Sequence, residues 1–233
     1  MQLFIGEING NIAQLSGDEF LHFTKVLRGN VGQRIFVTDG FGNLAQGIVM
    51  QIFSKYLEVE IDDLQSNFEQ RNYRLHVAIA PTKNMDRIEF FLEKATEIGI
   101  DEITFLKTFH SERKNINLDR CQKIVNSAVK QSLKAYVPII NDLVKFDDFI
   151  KQKHDSNKLI AHCSSEFDRI NINKIIKENE RFLLMIGPEG DFSETEIRDA
   201  IQLGFDSVSL GSQRFRTETA AICAVLSVNL LLN

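Results

Sequence analysis

The sequence predicts an α/β protein in two parts: a small β-rich unit, then a larger unit built on a parallel sheet covered by helices. Three observations lead there. The first 60 or so residues carry short β-branched or aromatic runs separated by turn signals. From Tyr73 onward, apolar runs of strand length alternate with helical patterns, the grammar of a parallel α/β sheet. The run Phe182-Leu183-Leu184-Met185-Ile186 is apolar throughout, as a strand buried on both faces must be.

In the first part, Gln2–Ile8, Gln33–Asp39, Leu44–Ile52 and Tyr56–Ile61 read as strands. The turns between them lie at Asn9-Gly10-Asn11, Gly29–Gly32, Asp39–Asn43 and Ser54-Lys55. Residues 56–61 alternate apolar and polar, the period of a half-buried strand. Between Gly17 and Leu27 the apolar residues Phe20, Phe23, Val26 and Leu27 recur at helical spacing. A small barrel with one inserted helix fits. The polar stretch 63–73 reads as the linker, which places the parts at 1–70 and 73–233.

In the second part the strands are Arg74–Ala80, Glu102–Leu106, Lys158–His162, Phe182–Ile186 and Ser207–Leu210. The helices are Asp86–Ile98, closed by Gly99, then Asn117–Ala135, a short turn at Asn173–Lys177, a helix from Ser193 to Leu203 and a last one over Thr217–Leu231. Ser193-Glu194-Thr195-Glu196 is a capping box, and Gly204 ends that helix.

Composition narrows the function. At 43% hydrophobic and 25% charged, the chain is an ordinary globular protein. Its net charge of -5 hides an asymmetry: Lys107 to Lys134 holds seven Lys/Arg against two acids. This block is a candidate phosphate-facing surface, with a solvated helix face as the alternative. Three dispersed cysteines, Cys121, Cys163 and Cys223, offer neither a disulfide framework nor metal-ligand spacing, so no metal is expected. The start of the chain lacks the charged and apolar regions of a signal peptide, and no apolar run is long enough for a bilayer. A cytoplasmic protein without membrane contact is expected.

The fingerprints of dinucleotide binding, the Walker A loop and the hydrolase elbow are absent. Chemistry concentrates instead in two strand-to-loop-to-helix joints between Phe182 and Ala221, where an open parallel sheet binds ligands. In Gly187-Pro188-Glu189-Gly190 the glycines allow close approach to backbone and the proline stiffens the loop. In Arg216-Thr217-Glu218-Thr219 a cation, an acid and two hydroxyls meet where capping needs one hydroxyl. Arg216 can hold a phosphate; Glu218 or Glu189 can accept a proton. His162-Cys163, at a strand end, is a further candidate lining pair.

These residues carry a resemblance. Ile186–Gly190 with Phe192-Ser193 and Glu196, then Leu210-Gly211 with Arg216–Ala220, is similar to the ribosomal small-subunit methyltransferase E family of the SPOUT superfamily. His22 with Val26-Leu27-Arg28, Asp39-Gly40, Lys83 with Asp86-Arg87-Glu89, Lys94 with Glu97–Gly99, Ser111–Arg113, and Ala128 with Gln131-Ser132 and Pro138 extend it over nearly the whole chain. The family usually has glycine where Asp191 stands, arginine where Lys134 stands and an acid where Ser127 stands.

The resemblance implies an amino-terminal PUA-like β-barrel that helps bind RNA and a carboxyl-terminal SPOUT α/β domain with a deep trefoil knot. It implies a cytoplasmic homodimer that methylates N3 of a uridine in 16S ribosomal RNA with S-adenosyl-L-methionine. The cofactor is expected on Leu184, Ile186, Gly187, Pro188, Gly190, Leu210, Gly211, Arg216, Thr217, Thr219 and Ala220, with His162 and Cys163 at the edge. Arg216 is expected to orient the uracil or a phosphate. Glu218 is the first candidate for the N3 proton and Glu189 the second. Arg28, Lys83, Arg87, Arg113 and Lys114 are the expected RNA contacts. Two alternatives stay open: a SPOUT methyltransferase with another RNA target, and a non-enzymatic RNA-binding assembly factor.

Overall fold

In the computed structural model, which describes residues 2–178 and 180–232, the chain forms two sheets. The first begins with β1 (Leu3–Ile5), β2 (Glu7–Asn9) and β3 (Ile12–Ser16). Helix α1 (Gly17–Leu21) runs into a π-helical turn at His22–Val26, and β4 (Arg34–Thr38), β5 (Leu44–Ile52) and β6 (Tyr56–Gln65) complete the sheet. The order is β1-β4-β5-β6-β3-β2. Strands β1 and β2 therefore lie at opposite edges of the sheet, yet only Gly6 separates them in sequence. The two steps from Ile5 to Glu7 span at most about 7 Å, so the sheet must curl until its edges meet, which is the expected barrel. Residue 6 has to be glycine: a Cβ there would lie 2.6 Å from the backbone oxygen of Gln14. The single strand expected over residues 2–8 is thus broken at Gly6, and β3 follows the Gly10 turn unexpectedly.

Phe4, Leu15, Phe23, Ile35, Val49 and Leu57 fill the interior. Strand β6 runs four residues past the expected end, so part of the polar linker is strand. Its outer residues are exposed, and an exposed strand end needs no apolar alternation.

The second sheet is parallel throughout. Strand β7 (Arg74–Ile79) leads into α2 (Met85–Ile98), capped by the Asn84 side chain accepting from the Asp86 amide. Then follow β8 (Glu102–Lys107), α3 (Leu118–Gln131), β9 (Ile139–Lys145), α4 (Phe146–Ile150) and β10 (Asn157–Ala161). The short β11 (Ile170–Asn171) leads through a 3-10 turn at Ile172–Lys174 to β12 (Arg181–Ile186). Helix α5 (Glu194–Gln202) carries both halves of the expected capping box, and β13 (Asp206–Ser209) and α6 (Thr217–Leu232) close the chain. The order is β11-β13-β10-β12-β7-β8-β9. Central β12 is buried from Phe182 to Ile186.

Strand β9 and helix α4 escaped the sequence reading. Strand β9 lies at the sheet edge with no fully buried residue, so its apolar signal is weak. Helix α3 stops at Gln131 rather than Ala135. Leu133 adopts a left-handed φ of 56°, and Ser132 Oγ donates to the Ala128 carbonyl at 2.7 Å.

The chain divides into two compact units. One comprises the residues up to Gln70 with Asn126–Val137, the other Arg71–Val125 with the residues from Pro138 on. Within the first, the Thr38 hydroxyl donates to the Ala135 carbonyl at 3.0 Å, and Lys130 pairs with Glu19 at 2.5 Å. Leu3, Leu44 and Ala135 form a small apolar cluster there.

The basic block is accordingly not one free face. Lys130 and Lys134 are engaged by Glu19 and Glu69 in the first unit, while Arg120 pairs with Glu89 in the second. Among the described residues no helix is long and apolar enough to cross a membrane, and no group of three His, Cys, Asp or Glu side chains is placed to hold a metal ion.

Candidate active site

Three strands of the second sheet, β10, β12 and β13, end side by side, and the loops leaving them surround a cavity of about 360 Å³. This size lies within the small-molecule range.

The β12 loop forms one wall. Gly187 is packed so closely that a Cβ would sit 3.1 Å from the Phe192 amide nitrogen. The turn closes with the Asp191 amide donating to the Pro188 carbonyl at 2.9 Å. Asp191 itself has a φ of 63°, a conformation that Asp tolerates better than most residues. Its carboxylate joins two loops: Oδ1 accepts from the Phe192 amide at 2.8 Å, and Oδ2 accepts from the Cys163 amide at 2.7 Å. From outside the cavity, His110 Nδ1 donates to the Asp191 carbonyl at 3.0 Å.

The β13 loop forms the opposite wall. Gly211 has a φ of 134°, and a Cβ there would enter open space. Leu210, Arg214, Phe215 and Arg216 complete this wall, and Thr217 and Ala220 present the start of α6. The β10 end supplies His162, 5% exposed, whose Nε2 lies 2.6 Å from Ser207 Oγ. Its Nδ1 is buried without a partner, an unmet polar atom beside the cavity of the kind that a ligand satisfies. Burial pushes the His162 pKa down, partly offset by the Asp191 carboxylate, so the ring is neutral at pH 7. Arg169 holds the His162 carbonyl at 2.8 Å.

Most expected site residues meet here. His162, Cys163, Ile186, Gly187, Pro188, Glu189, Leu210, Gly211, Arg216, Thr217 and Ala220 all line the cavity. Leu184 lies inside the sheet, fully buried in β12. Gly190 packs on the other side of its loop, against His110. Thr219 is exposed and outside the lining.

Glu218 is also outside the lining. It is buried beside Arg87 of α2, with Oε1 3.8 Å from the guanidinium and Oε2 unpartnered. The same Arg87 lies 4.0 Å from Glu189 Oε1, which also accepts from the Lys83 amide at 3.2 Å. Arg87 thus stands between the two candidate acids.

Of the other cations, Arg113 donates to the Lys83 carbonyl at 2.6 Å, and Lys83 pairs with Glu112 at 3.1 Å. Lys114 is exposed, and Arg28 is an exposed residue of the first unit at a φ of 52°.

Asp191, Arg169, Gln213, Arg214 and Phe215 also line the cavity. The last three sit between Gly211 and Arg216 and were within reach of the motif. Arg169 follows β10 in a polar stretch without any motif, and no sequence signal marked it.

A family model described as an RNA methyltransferase domain matches residues 69–229, and one described as an RNA methyltransferase PUA domain matches 15–62. The ribosomal RNA small subunit methyltransferase E of Rickettsia conorii is 32% identical over 237 residues, covering 96% of this chain and 94% of the relative. The chain belongs to the ribosomal RNA small subunit methyltransferase E family. The Mesomycoplasma hyopneumoniae member is 35% identical over 170 residues, covering 70% of this chain and 71% of that one.

Solved structures agree on the whole fold. A probable rRNA methyltransferase from Porphyromonas gingivalis superposes with a TM-score of 0.89 at 35% identity, covering 100% of this chain and 98% of the other. The family member from Neisseria gonorrhoeae, solved bound to S-adenosyl methionine, gives 0.87 at 25% identity, with 99% and 98% covered.

Proposed function

We propose that this chain transfers a methyl group from S-adenosyl-L-methionine to N3 of a uridine in 16S ribosomal RNA. The observation that carries the reading is the cavity between the two glycine loops, combined with membership of a ribosomal RNA methyltransferase family.

The cavity suits the cofactor. It combines backbone and apolar walls with a few charged side chains, leaves open space over Gly211 and has an unpaired buried nitrogen of His162 beside it. Gly187, Pro188, Leu210 and Gly211 would hold the cofactor by close backbone approach, with His162 and Cys163 at its edge. When bound, S-adenosylmethionine supplies an electrophilic methyl group on a sulfonium. The chain's own residues do the rest. Uracil N3 carries a proton and attacks only when that proton leaves, so an acceptor must face the base. Glu189 lines the cavity with one oxygen on the Lys83 amide and the other uncommitted, which makes it the better placed acceptor. Glu218, set back beside Arg87, positions that guanidinium between the acids. Arg216 lines the cavity and orients the base or a neighbouring phosphate. Alignment of the reacting atoms then supplies much of the rate.

The proposal extends to a cytoplasmic homodimer with a trefoil knot in the carboxyl-terminal part. Exposed Leu226, Leu230 and Leu231 on α6 favour a dimer contact. The knot rests on the family resemblance, and the placement of β13 beyond β10, with β12 on the other side of β10, is compatible with it.

The test is incubation with S-adenosylmethionine and small ribosomal subunits lacking the modification, followed by nucleoside mass spectrometry. 3-Methyluridine appears with the wild type. It is lost with Arg216→Ala, which still binds S-adenosylhomocysteine. No methyluridine with the wild type rejects the reading.

A further inference from the structure

The turn that follows β8 displays a large aromatic where none is needed for folding. Phe109 is 77% exposed, among the most exposed large apolar side chains described. Burying an aromatic ring is strongly favourable, so a ring left in water at a turn calls for a reason.

The turn is not loose. The Phe109 amide donates to Glu196 Oε1 at 2.8 Å. Glu196, only 8% exposed, also accepts from the Ser193 amide and hydroxyl in the α5 capping box. The Ser111 amide donates to the Thr108 carbonyl, the Thr108 amide to Ser111 Oγ, and the two hydroxyls lie 2.9 Å apart. Next in the chain, His110 sets its ring edge-on to Phe109 with centroids 5.0 Å apart and donates to the Asp191 carbonyl. Phe109 is therefore an exposed ring on a rigid mount, anchored by its own amide to Glu196 of α5 and through His110 to Asp191 in the cavity wall.

Its surroundings select the partner class. Lys107 and Lys114 flank the turn, are exposed, and have no ion pair among the described residues. An exposed aromatic with unpaired cations two residues before it and five after it in the chain offers stacking for an unpaired nucleobase and charge for its backbone. We infer that Phe109 is a stacking platform for an unpaired RNA base flanking the one presented at the cavity. A uridine reached by this cavity has left its stack, which uncovers the face that each neighbouring base had stacked on it. The inference rests on the RNA methyltransferase reading and adds a recognition residue that neither glycine loop contains.

Stacking and charge separate experimentally. Binding of single-stranded oligouridine is measured by fluorescence anisotropy over a series of salt concentrations for wild type, Phe109→Ala, Phe109→Trp and Lys114→Ala. The inference requires Phe109→Ala to weaken binding roughly tenfold with an unchanged salt slope, because a lost stack releases no counterions. Phe109→Trp stays within about twofold of wild type. Lys114→Ala lowers the salt slope by about one. With small ribosomal subunits as substrate, Phe109→Ala raises KM for RNA while kcat and the affinity for S-adenosylhomocysteine hold. Unchanged oligouridine affinity in Phe109→Ala, with the wild type binding normally, overturns the platform and leaves the methyltransferase reading standing. A wild type that binds no RNA overturns both.

Discussion

Replacing Asp191 by glycine tests how the cavity walls are held together. Glycine adopts the φ of 63° without strain, so the substitution removes the carboxylate bridge and little else. Each hydrogen bond to a charged acceptor contributes about 1.5–3 kcal/mol. The Cys163 amide is solvent-accessible, so water replaces part of that bond, and about 1–2 kcal/mol remains as the coupling between the β10 and β12 loops. A ligand that needs both walls in register loses this amount, a roughly 5- to 30-fold rise in Kd. Calorimetric titration with S-adenosylhomocysteine measures it directly. Amide hydrogen exchange of the ligand-free protein measures the bridge itself, with faster exchange expected at Cys163. Asp191→Asn tolerates the backbone conformation and keeps one acceptor, so it falls between wild type and Asp191→Gly. If Asp191→Gly binds within twofold of wild type and exchange at Cys163 is unchanged, the bridge does not hold the wall.

Other consequences are as direct. Glu189→Gln lowers kcat by about 100-fold or more, the scale of a lost general base, while Glu218→Gln lowers it less; the opposite ranking in single-turnover assays would return the proton to Glu218. Burial lowers the His76 pKa from 6.5 to about 4, more than the nearby Glu102 raises it. The unfolded chain therefore takes up this proton first, and stability falls as pH drops from about 6.5 to 4, by about 3 kcal/mol; urea denaturation of His76→Gln shows a flatter pH dependence over that window. Lys130→Met, which leaves Glu19 half-buried and unpaired, costs about 1–2 kcal/mol in thermal unfolding without altering the salt slope of RNA binding. Gly6→Ala costs about 1–3 kcal/mol through its contact with the Gln14 carbonyl, read from the same unfolding curves.

The elements most legible in the sequence were those with strong local grammar. Strand β12 announced itself by continuous apolarity, helix α5 by its capping box, and the cavity by two glycine loops after strands. What escaped depended on distant partners. Strand β9, at a sheet edge, lacks the apolar run that burial imposes. Residues 126–137 join the first unit through contacts to Thr38 and Glu19 that no local pattern encodes. At the site, the sequence put Glu218 ahead of Glu189 as the proton acceptor, and only the packing separates them in space, with Glu189 on the cavity lining and Glu218 buried behind it beside Arg87. Arg169 and the bridging function of Asp191 emerge only when three loops converge.

The grouping of residues 126–137 with the first unit has a consequence for synthesis. The first 70 residues leave the ribosome with the Thr38 hydroxyl, Leu3 and Leu44 still lacking their partners near Ala135. At roughly 5–20 residues per second, several seconds pass before those partners are made. The amino-terminal barrel is thus completed by a piece of chain that arrives only after β7, α2 and β8 have been translated. Cutting the gene at the linker would separate the barrel from the segment that packs with it.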